Sequence, residues 1–458
     1  MSISYNALSG ALAAQAALNT TSQNLANMQT DGYTRQGVLL SAIGPDAASK
    51  TAGNGVQLTS LLRFSDSYKT QQLWRSNSAL GERTQVQPYL TQMETVMSDD
   101  KSSLSFGVDS FFSALNAAAG DPTSTPLRQQ VVTAADSMSQ QFNSIFNVTA
   151  NQLTSVFQQQ SAILPQLNQS LIGIATLNQQ IASASSLGTN TSALVDKRDQ
   201  LIDSVSSQVS VTVTDNTDGS RSVSLDNGQP LVVGNIASNV FYDTSGGAPV
   251  LTVNFAQTKF VVDDTQVGGQ LGGLASYQAN VLKPLQQSIS DIAGQMSSKI
   301  NAQLALGFDA NGNPGGPLLT FNPASATGLL EVTNGVQAND LAFSADGTPG
   351  DSTNLQALID IKSQPVTLTS VGTVLLSDAD TQLVGKLGID SQQNQAQLTT
   401  ATTVRQQAED DWKSTSAVNQ DEEAINLVEY QKMYQANMKV ISVANTLFDA
   451  TLAMFTPT

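Results

Sequence analysis

The sequence predicts a chain that is mainly α with an inserted β-rich domain, an α+β multidomain protein. Its parts are paired N- and C-terminal coiled-coil helices, a long-helix bundle domain and a small outer β domain. Three observations carry this reading. Near the C-terminus Tyr434, Met438, Ile441, Asn445, Phe448, Leu452 and Phe455 alternate four and three residues apart, the spacing of a coiled-coil seam. Near the N-terminus Leu8, Ala11, Gln15, Leu18, Ser22 and Leu25 repeat that spacing among Ala7, Ala13, Ala14, Ala16 and Ala17. Small residues let helices approach closely, so the two ends are expected to pair; two ordinary amphipathic helices on a core are the alternative. Finally, Val209, Val211 and Val213 alternate with Ser210 and Thr212, a period of two in the middle of helical sequence.

After the first helix, Asp31-Gly32 supplies a turn and Tyr33 begins an extended stretch. Residues 67–118 read as helix interrupted at Gly81 and Pro88. A Gly-Asp-Pro-Thr-Ser-Thr-Pro loop, Gly120 to Pro126, resets the chain, and Pro126 near the start of the next helix costs no backbone donor. From Leu127 to about Ile181 runs a long helical pattern in which Ala135, Met138, Phe142, Ile145, Thr149, Gln152 and Val156 again alternate three and four; Pro165 is expected to kink or split it.

Beyond Asp203 the pattern turns to strands. Asp218-Gly219 joins Val209–Val213 to Val223 and Leu225 as a hairpin, and Asn227-Gly228 leads to Leu231–Val233, Val250–Phe255 and Lys259–Val262. Gly268-Gly269 and Gly272-Gly273 read as a hinge before a helix from Leu274 to Leu306. Loops and short strands follow over 307–385, with one short helix at Asn354 to Ile361, and helix resumes from Gln392 to the C-terminus.

Composition narrows the function. The chain has 458 residues, enough for two to four domains, and 40% of them are hydrophobic, enough for real cores. No stretch approaches the roughly 18 apolar residues of a membrane span, and Met1-Ser2-Ile3-Ser4-Tyr5 lacks the start of a Sec signal peptide. A net charge of −17 repels phosphate backbones and anionic lipid, so neither nucleic acid nor membrane is expected as a partner. Cysteine and histidine are both absent, which removes ordinary zinc sites, Ser-His-Asp and Cys-His pairs, and any base titrating naturally near neutrality.

What remains is weak as chemistry. Asp309, Asn311 and Asn313 fall at the first, third and fifth positions of a calcium loop, but Pro314 and Thr320 stand where Gly and a bidentate Glu are needed, so a plain Asx-rich turn is the better reading. The glycines at 268–273 precede a helix without a Gly-Lys-Ser/Thr. Asp99-Asp100, Glu409-Asp410-Asp411 and Asp421-Glu422-Glu423 read as solvated helix starts, not as two carboxylates facing across a cleft. Asn445 in an apolar seam either fixes register or is partly exposed. No catalytic, cofactor-binding or metal-binding residue is expected.

Ser22-Gln23-Asn24-Leu25-Ala26-Asn27, followed by Thr30, Gly32 and Tyr33, resembles the N-terminal signature shared by flagellar rod, hook and hook-associated proteins. Leu104-Ser105, Phe111-Phe112-Ser113-Ala114-Leu115, Pro122, Arg128, Ile174–Asn178 and Asp196–Leu201 resemble the helical domain of the flagellar hook-associated protein 1 family. Val418-Asn419, Asp421-Glu422-Glu423, Tyr430-Gln431, Tyr434–Asn437 and Phe448-Asp449 resemble its tail, with Ala417 and Gln420 departing from the expected Gly and Leu. The insertion between the helical segments is short for that family.

The resemblance implies a non-enzymatic structural junction protein at the distal end of the hook. It implies export through the flagellar type III apparatus without a cleaved signal, and an extracellular place in the flagellum. It also implies terminal helices lining an inner tube, with the helical domain and then the β domain outside. The implied partners are further copies of the chain, the hook protein, the next hook–filament junction protein and a dedicated export chaperone binding the C-terminal helix. A flagellar hook or rod structural protein is the alternative; it shares the N-terminal signature but is not expected to carry the segment from Leu104 to Leu201.

Seams and resemblance together give a candidate assembly interface. It comprises Leu8, Leu12, Leu18, Leu25, Asn27, Gly32 and Tyr33 with Tyr434, Met438, Ile441, Asn445, Phe448, Leu452 and Phe455. The expected domains are 1–60 with 415–458 as inner tube, 61–203 with 267–306 and 386–414 as helical domain, 204–266 as outer β-rich domain, and 307–385 packed on the helical domain.

Overall fold

The computed structural model describes residues 2–44, 53–99, 101, 103–325 and 328–455. The chain opens with α1 (Ser2–Ala26), then an antiparallel hairpin of β1 (Gln36–Ala42) and β2 (Val56–Arg63), bulged where Leu39 pairs with Ser60 but Leu40 pairs with Leu58. Helix α2 (Ser67–Met97) starts where the Asp66 carboxylate accepts from the N–H groups of Tyr68 and Lys69. It runs unbroken through Gly81 and Pro88, so the expected interruptions do not occur. The break comes after Met97, and α3 (Leu104–Gly120) begins under a Ser103 cap. Tertiary packing on both sides of α2 outweighs the local cost of one glycine and one missing donor.

Helix α4 (Thr125–Ser186) is a single helix of 62 residues, about 93 Å at 1.5 Å per residue. Pro165 does not split it. A short turn leads into α5 (Ser192–Gln208), so residues 204–208 are helical and the strands begin only at Val211. Strands β3 (Val211–Asp215), β4 (Arg221–Leu225), β5 (Pro230–Val233) and β6 (Ile236–Ala237) form one antiparallel sheet in that order. A second contains β7 (Asn239–Asp243), β8 (Val250–Phe255) and β9 (Thr258–Val261). The Asp218-Gly219 turn joins β3 to β4 as expected, with Gly219 at φ 83°.

The glycine cluster is a close contact, not a hinge. Helix α6 (Gly269–Tyr277) starts one turn earlier than expected, and a methyl group on Gly273 would sit 2.5 Å from the carbonyl oxygen of Glu82 on α2. One on Gly81 would sit 2.3 Å from the carbonyl oxygen of Ser207 on α5. A π-turn at Gln278–Leu282 carries α6 into α7 (Lys283–Leu304). Two-stranded pairs of β10 (Leu319–Phe321) with β11 (Leu330–Val332) and β12 (Pro365–Leu368) with β13 (Gly372–Leu375) flank α8 (Thr353–Asp360). Helix α9 (Ala379–Ser416) starts ahead of Gln392, and a break at 417–419 separates it from α10 (Gln420–Phe455).

Two hydrophobic cores result. The larger gathers Met93 and Met97, Phe111 and Phe112, and Met138 and Phe142. It adds Ile289 and Met296 of α7, Leu383 and Leu387 of α9, and Phe343, Leu355 and Val366 of the 307–385 segment. Arg128 anchors that segment to α4, donating to the carbonyl oxygens of Pro122 at 2.6 Å and Leu341 at 2.7 Å and lying over the Phe343 ring. The smaller core joins Trp74, Leu167, Leu171, Ile174, Ile202 and Val205 to Val211, Val223, Leu231, Val240 and Val253. The strands therefore share their core with α2, α4 and α5 and do not form a self-contained unit.

Candidate assembly interface

The two chain ends do pair, on α1 mostly through residues other than the expected leucines and on α10 partly through the expected ones. On α1 the buried stripe is Ala7, Ala11, Ala14, Ala17, Thr21 and Asn24, while Leu8, Leu12 and Leu25 point outward, Leu12 at 58% exposure. Only Ala11 belongs to both the expected and the observed seam. The reason is distance: alanines and Gly10 let the partner helix close to contact, and a methyl group on Gly10 would lie 2.7 Å from Asn437 Oδ1. Since Gly10 meets Asn437 and Asn24 meets Glu423, the helices are antiparallel, and the same register carries Phe448 to Phe455 beyond Ser2.

On α10 the half-buried stripe runs through Leu427, Tyr430, Tyr434, Asn437, Ile441 and Ala444. Tyr434 and Ile441 of the expected seam lie on it. Met438 and Asn445 face away from α1, Phe448 and Leu452 are exposed beyond its end, and the Phe455 side chain lies outside the described residues. Leu18 is half-buried beside the alanine stripe. From Ser2 to Thr30 no side chain carries a charge. The pair thus presents Ile3, Tyr5, Leu8 and Leu12 of α1, and Met438, Val443, Phe448 and Leu452 of α10, to its surroundings.

Asn24 is the hub of the pair, a residue absent from the expected interface although it sits in the quoted N-terminal motif. It is 1% exposed. Its Nδ2 donates to the Gln36 carbonyl at 2.8 Å and to Glu423 Oε1 at 3.0 Å; its Oδ1 accepts from the Gln36 N–H at 3.0 Å and from the Tyr33 hydroxyl at 2.9 Å. One amide thereby ends α1, starts β1 and receives α10. Burial pushes the Glu423 carboxyl above the usual carboxylate range, and burial with the nearby negative charges of Asp196 and Glu423 pushes the Tyr33 hydroxyl up to about 12. Polar residues inside a helix carry little local signal, so only the geometry separates Asn24 from its exposed neighbours Gln23 and Leu25.

The elbow at 27–35 joins this pair to the rest. Asn27 donates to the Gln23 carbonyl at 2.9 Å and accepts from Thr30, closing the end of α1. Gly32 lies at φ 70°, and a methyl group there would sit 2.6 Å from Gln200 Nε2, so both backbone conformation and space require glycine. Gln200 donates to the Asp31 carbonyl, the Thr34 N–H donates to Asp196 Oδ2 at 3.1 Å, and the Arg35 N–H donates to the Ser416 carbonyl at 2.8 Å. The Arg35 guanidinium meets Glu422 at 2.6 Å and lies over the Phe64 ring. Arg63 of β2 donates to Asp196 Oδ1 at 2.8 Å and Asp199 Oδ2 at 3.0 Å, and Arg221 of β4 also meets Asp199. The Asp196–Gln200 run, read from the sequence only as a resemblance, is therefore the seat of the elbow.

Among the described residues no group of three or more acidic side chains is placed to hold a metal ion, and no helix is long and apolar enough to cross a membrane. At 309–313 the Asp309 carboxylate is engaged by the N–H groups of Asn311 and Asn313, each at 2.8 Å, as in an Asx turn.

Antiparallel chain ends closed by an N-terminal Asn-bearing helix and an acidic-capped tail define the class. Residues 5–34 match the model for flagella basal body rod proteins and residues 414–454 the model for the C-terminal part of flagellar basal body rod FlgEFG proteins, which makes this an axial protein of the flagellum. Residues 90–319 match the helical domain of flagellar hook-associated protein FlgK, half of the chain, and the chain belongs to that family. Flagellar hook-associated protein 1 of Salmonella typhimurium is 27% identical over 551 aligned positions, covering 98% of this chain and 99% of that protein. The Bacillus subtilis protein of the same name is 27% identical over 484 positions, covering 95% of each. The fold is that of the flagellar hook junction protein FlgK of Burkholderia pseudomallei, with a TM-score of 0.67 at 17% identity over 75% of this chain and all of that one. The role of the chain is structural, in the flagellar junction.

Proposed function

We propose that the α1–α10 pair is the self-assembly element. It packs side by side with the pairs of neighbouring copies through Leu8, Leu12, Leu25, Met438, Phe448 and Leu452, and so forms an inner tube beneath the two cores. The observation that carries this is an uncharged α1 whose leucines face outward once its alanines are buried on α10. Apolar rows of that extent on a folded chain mark an interface. At the junction one end of this tube meets the hook protein and the other the next junction protein. Before assembly the chain travels through the flagellar type III apparatus to the outside. The overhang of α10, with exposed Leu447, Phe448, Leu452 and Met454, is the segment an export chaperone would cover.

The test is Leu12→Asp in cells. Leu12 is largely exposed, so the isolated variant should melt within a degree or so of the parent, since surface substitutions move stability by about 0.5 kcal/mol or less. In the assembly the carboxylate is buried unpaired, which costs several kcal/mol per contact. Hooks without filaments, with flagellin lost to the medium at normal secretion of the variant, are expected. Normal filaments would overturn the reading.

A further inference from the structure

Among the described residues, neither hydrophobic core contains a side chain of α1, β1, β2 or α10. The chain crosses between the terminal unit of α1, β1, β2 and α10 and the two-core body twice, each time in short non-helical backbone, 64–66 and 417–419, and the elbow at 27–35 is hydrogen-bonded to the body between them. Hydrogen bonds and ion pairs span this joint, and Arg63 makes two of the ion pairs. Its side chain is 15% exposed and faces Asp196 and Asp199, at 9% and 13%. Asp199 is shared with Arg221, which also holds Asp215, so Asp196 depends on Arg63 for its countercharge. Beside the joint lies a cleft of about 540 Å³ between the elbow, α2, α5 and α9, lined by Trp74 and Trp412, the only tryptophans of the chain. There is room for the elbow to move.

We propose that the joint is an electrostatic pivot: Arg63, reaching from β2 to Asp196 and Asp199 on α5, fixes the angle of the terminal helix pair against the body, and the pair swings when this clamp is removed. A joint with an apolar core would resist reorientation in proportion to the surface it must expose. A joint of hydrogen bonds and ion pairs exchanges them for water at little net cost. Removing Arg63 leaves the Asp196 carboxylate buried without countercharge, which strongly disfavours the clamped arrangement and favours any in which Asp196 reaches water. The pivot lets identical copies adopt different tilts at two unlike neighbours without altering either core.

The test uses the full chain, whose lack of cysteine allows two unique spin-label sites, Gln406→Cys on α9 and Gln431→Cys on α10. The label–label distance is read by pulsed electron paramagnetic resonance. The parent should give one narrow distribution. Arg63→Gln should at least double its width or add a second population, with helix content by circular dichroism unchanged. Adding Asp196→Asn removes the uncompensated charge and should narrow the distribution again. A parent as broad as the variant, an Arg63→Gln distribution like the parent's, or a broadening that Asp196→Asn does not reverse would each overturn the pivot.

Discussion

Gly273→Ala should destabilise the protein, against the ordinary preference of helices. Inside a helix a glycine-to-alanine change gains about 1 kcal/mol from propensity alone. At 273 the new methyl would lie 2.5 Å from the Glu82 carbonyl oxygen and 3.0 Å from its Cα, distances a real Cβ does not adopt. Helix α2 cannot recoil freely, because the adjacent Gly81 presses equally closely on the Ser207 carbonyl of α5. Overpacking of this kind costs about 1–3 kcal/mol, and pinned backbone puts the site at the upper end. The net loss is therefore about 2 kcal/mol, a thermal midpoint lowered by roughly 2 °C for a protein of this size. Gly385→Ala in α9 is the counter-experiment, since nothing lies within 4 Å of the added methyl. It should raise the midpoint by about 1 °C. Thermal unfolding of both full-length variants by circular dichroism decides the matter. If Gly273→Ala is as stable as Gly385→Ala, the close α2–α6 crossing is not real.

Three further outcomes follow from the geometry. Asn24→Ala strips four hydrogen bonds from buried and half-buried partners and should weaken the α1–α10 pair by about 3 kcal/mol, seen as amide exchange in residues 423–441 faster by roughly 100-fold; a change under threefold would show that Asn24 is not the hub. Glu423 has its carboxyl raised by burial, so between the ordinary carboxylate value and the raised one the folded pair holds a proton that the unfolded chain has released. Stability of the pair then falls as pH rises through that interval, and Glu423→Gln, which keeps the acceptor for Asn24, should abolish this slope and protect the pair at pH 7 in the same exchange measurement; an unchanged slope contradicts it. Deleting residues 211–261 should yield an aggregating protein, because Trp74, Leu167, Leu171 and Ile174 lose their cover; a monodisperse deletion variant by light scattering would mean that the strands fold apart from the helices.

Local chemistry made some of this architecture readable and hid the rest. The helical ends, the long helix from 127 and the Asp218-Gly219 hairpin announce themselves by periodicity and by a residue suited to positive φ. On α1 the expected seam followed the leucines, because leucine is the usual marker of a buried helix face. Here the buried face is alanine, and the leucines are left outward, where the proposed assembly would use them. Gly81, Pro88 and Pro165 suggested breaks that packing overrides, and Gly268–Gly273 suggested mobility where glycine instead permits contact. The elbow seats, Asp196 and Asp199, lie 133 residues or more from Arg63 and all three are charged, features that alone say only solvated surface. Asn24 could have been weighed from its place in the N-terminal motif, but nothing local says that its amide meets Glu423, 399 residues away.

Helix α4 belongs to both cores: Val131 to Ile163 line the larger, and Leu164 to Ala175 the smaller, with Pro165 at the changeover. A strut embedded at both ends in packed interior behaves as a torsion bar. Twisting one end relative to the other strains a continuous ladder of backbone hydrogen bonds and cannot be absorbed by a loop. In a rotating appendage, load applied to the strand region would then reach the opposite end of the body as rotation of a rigid lever, leaving compliance to the few residues at which the helical track is interrupted.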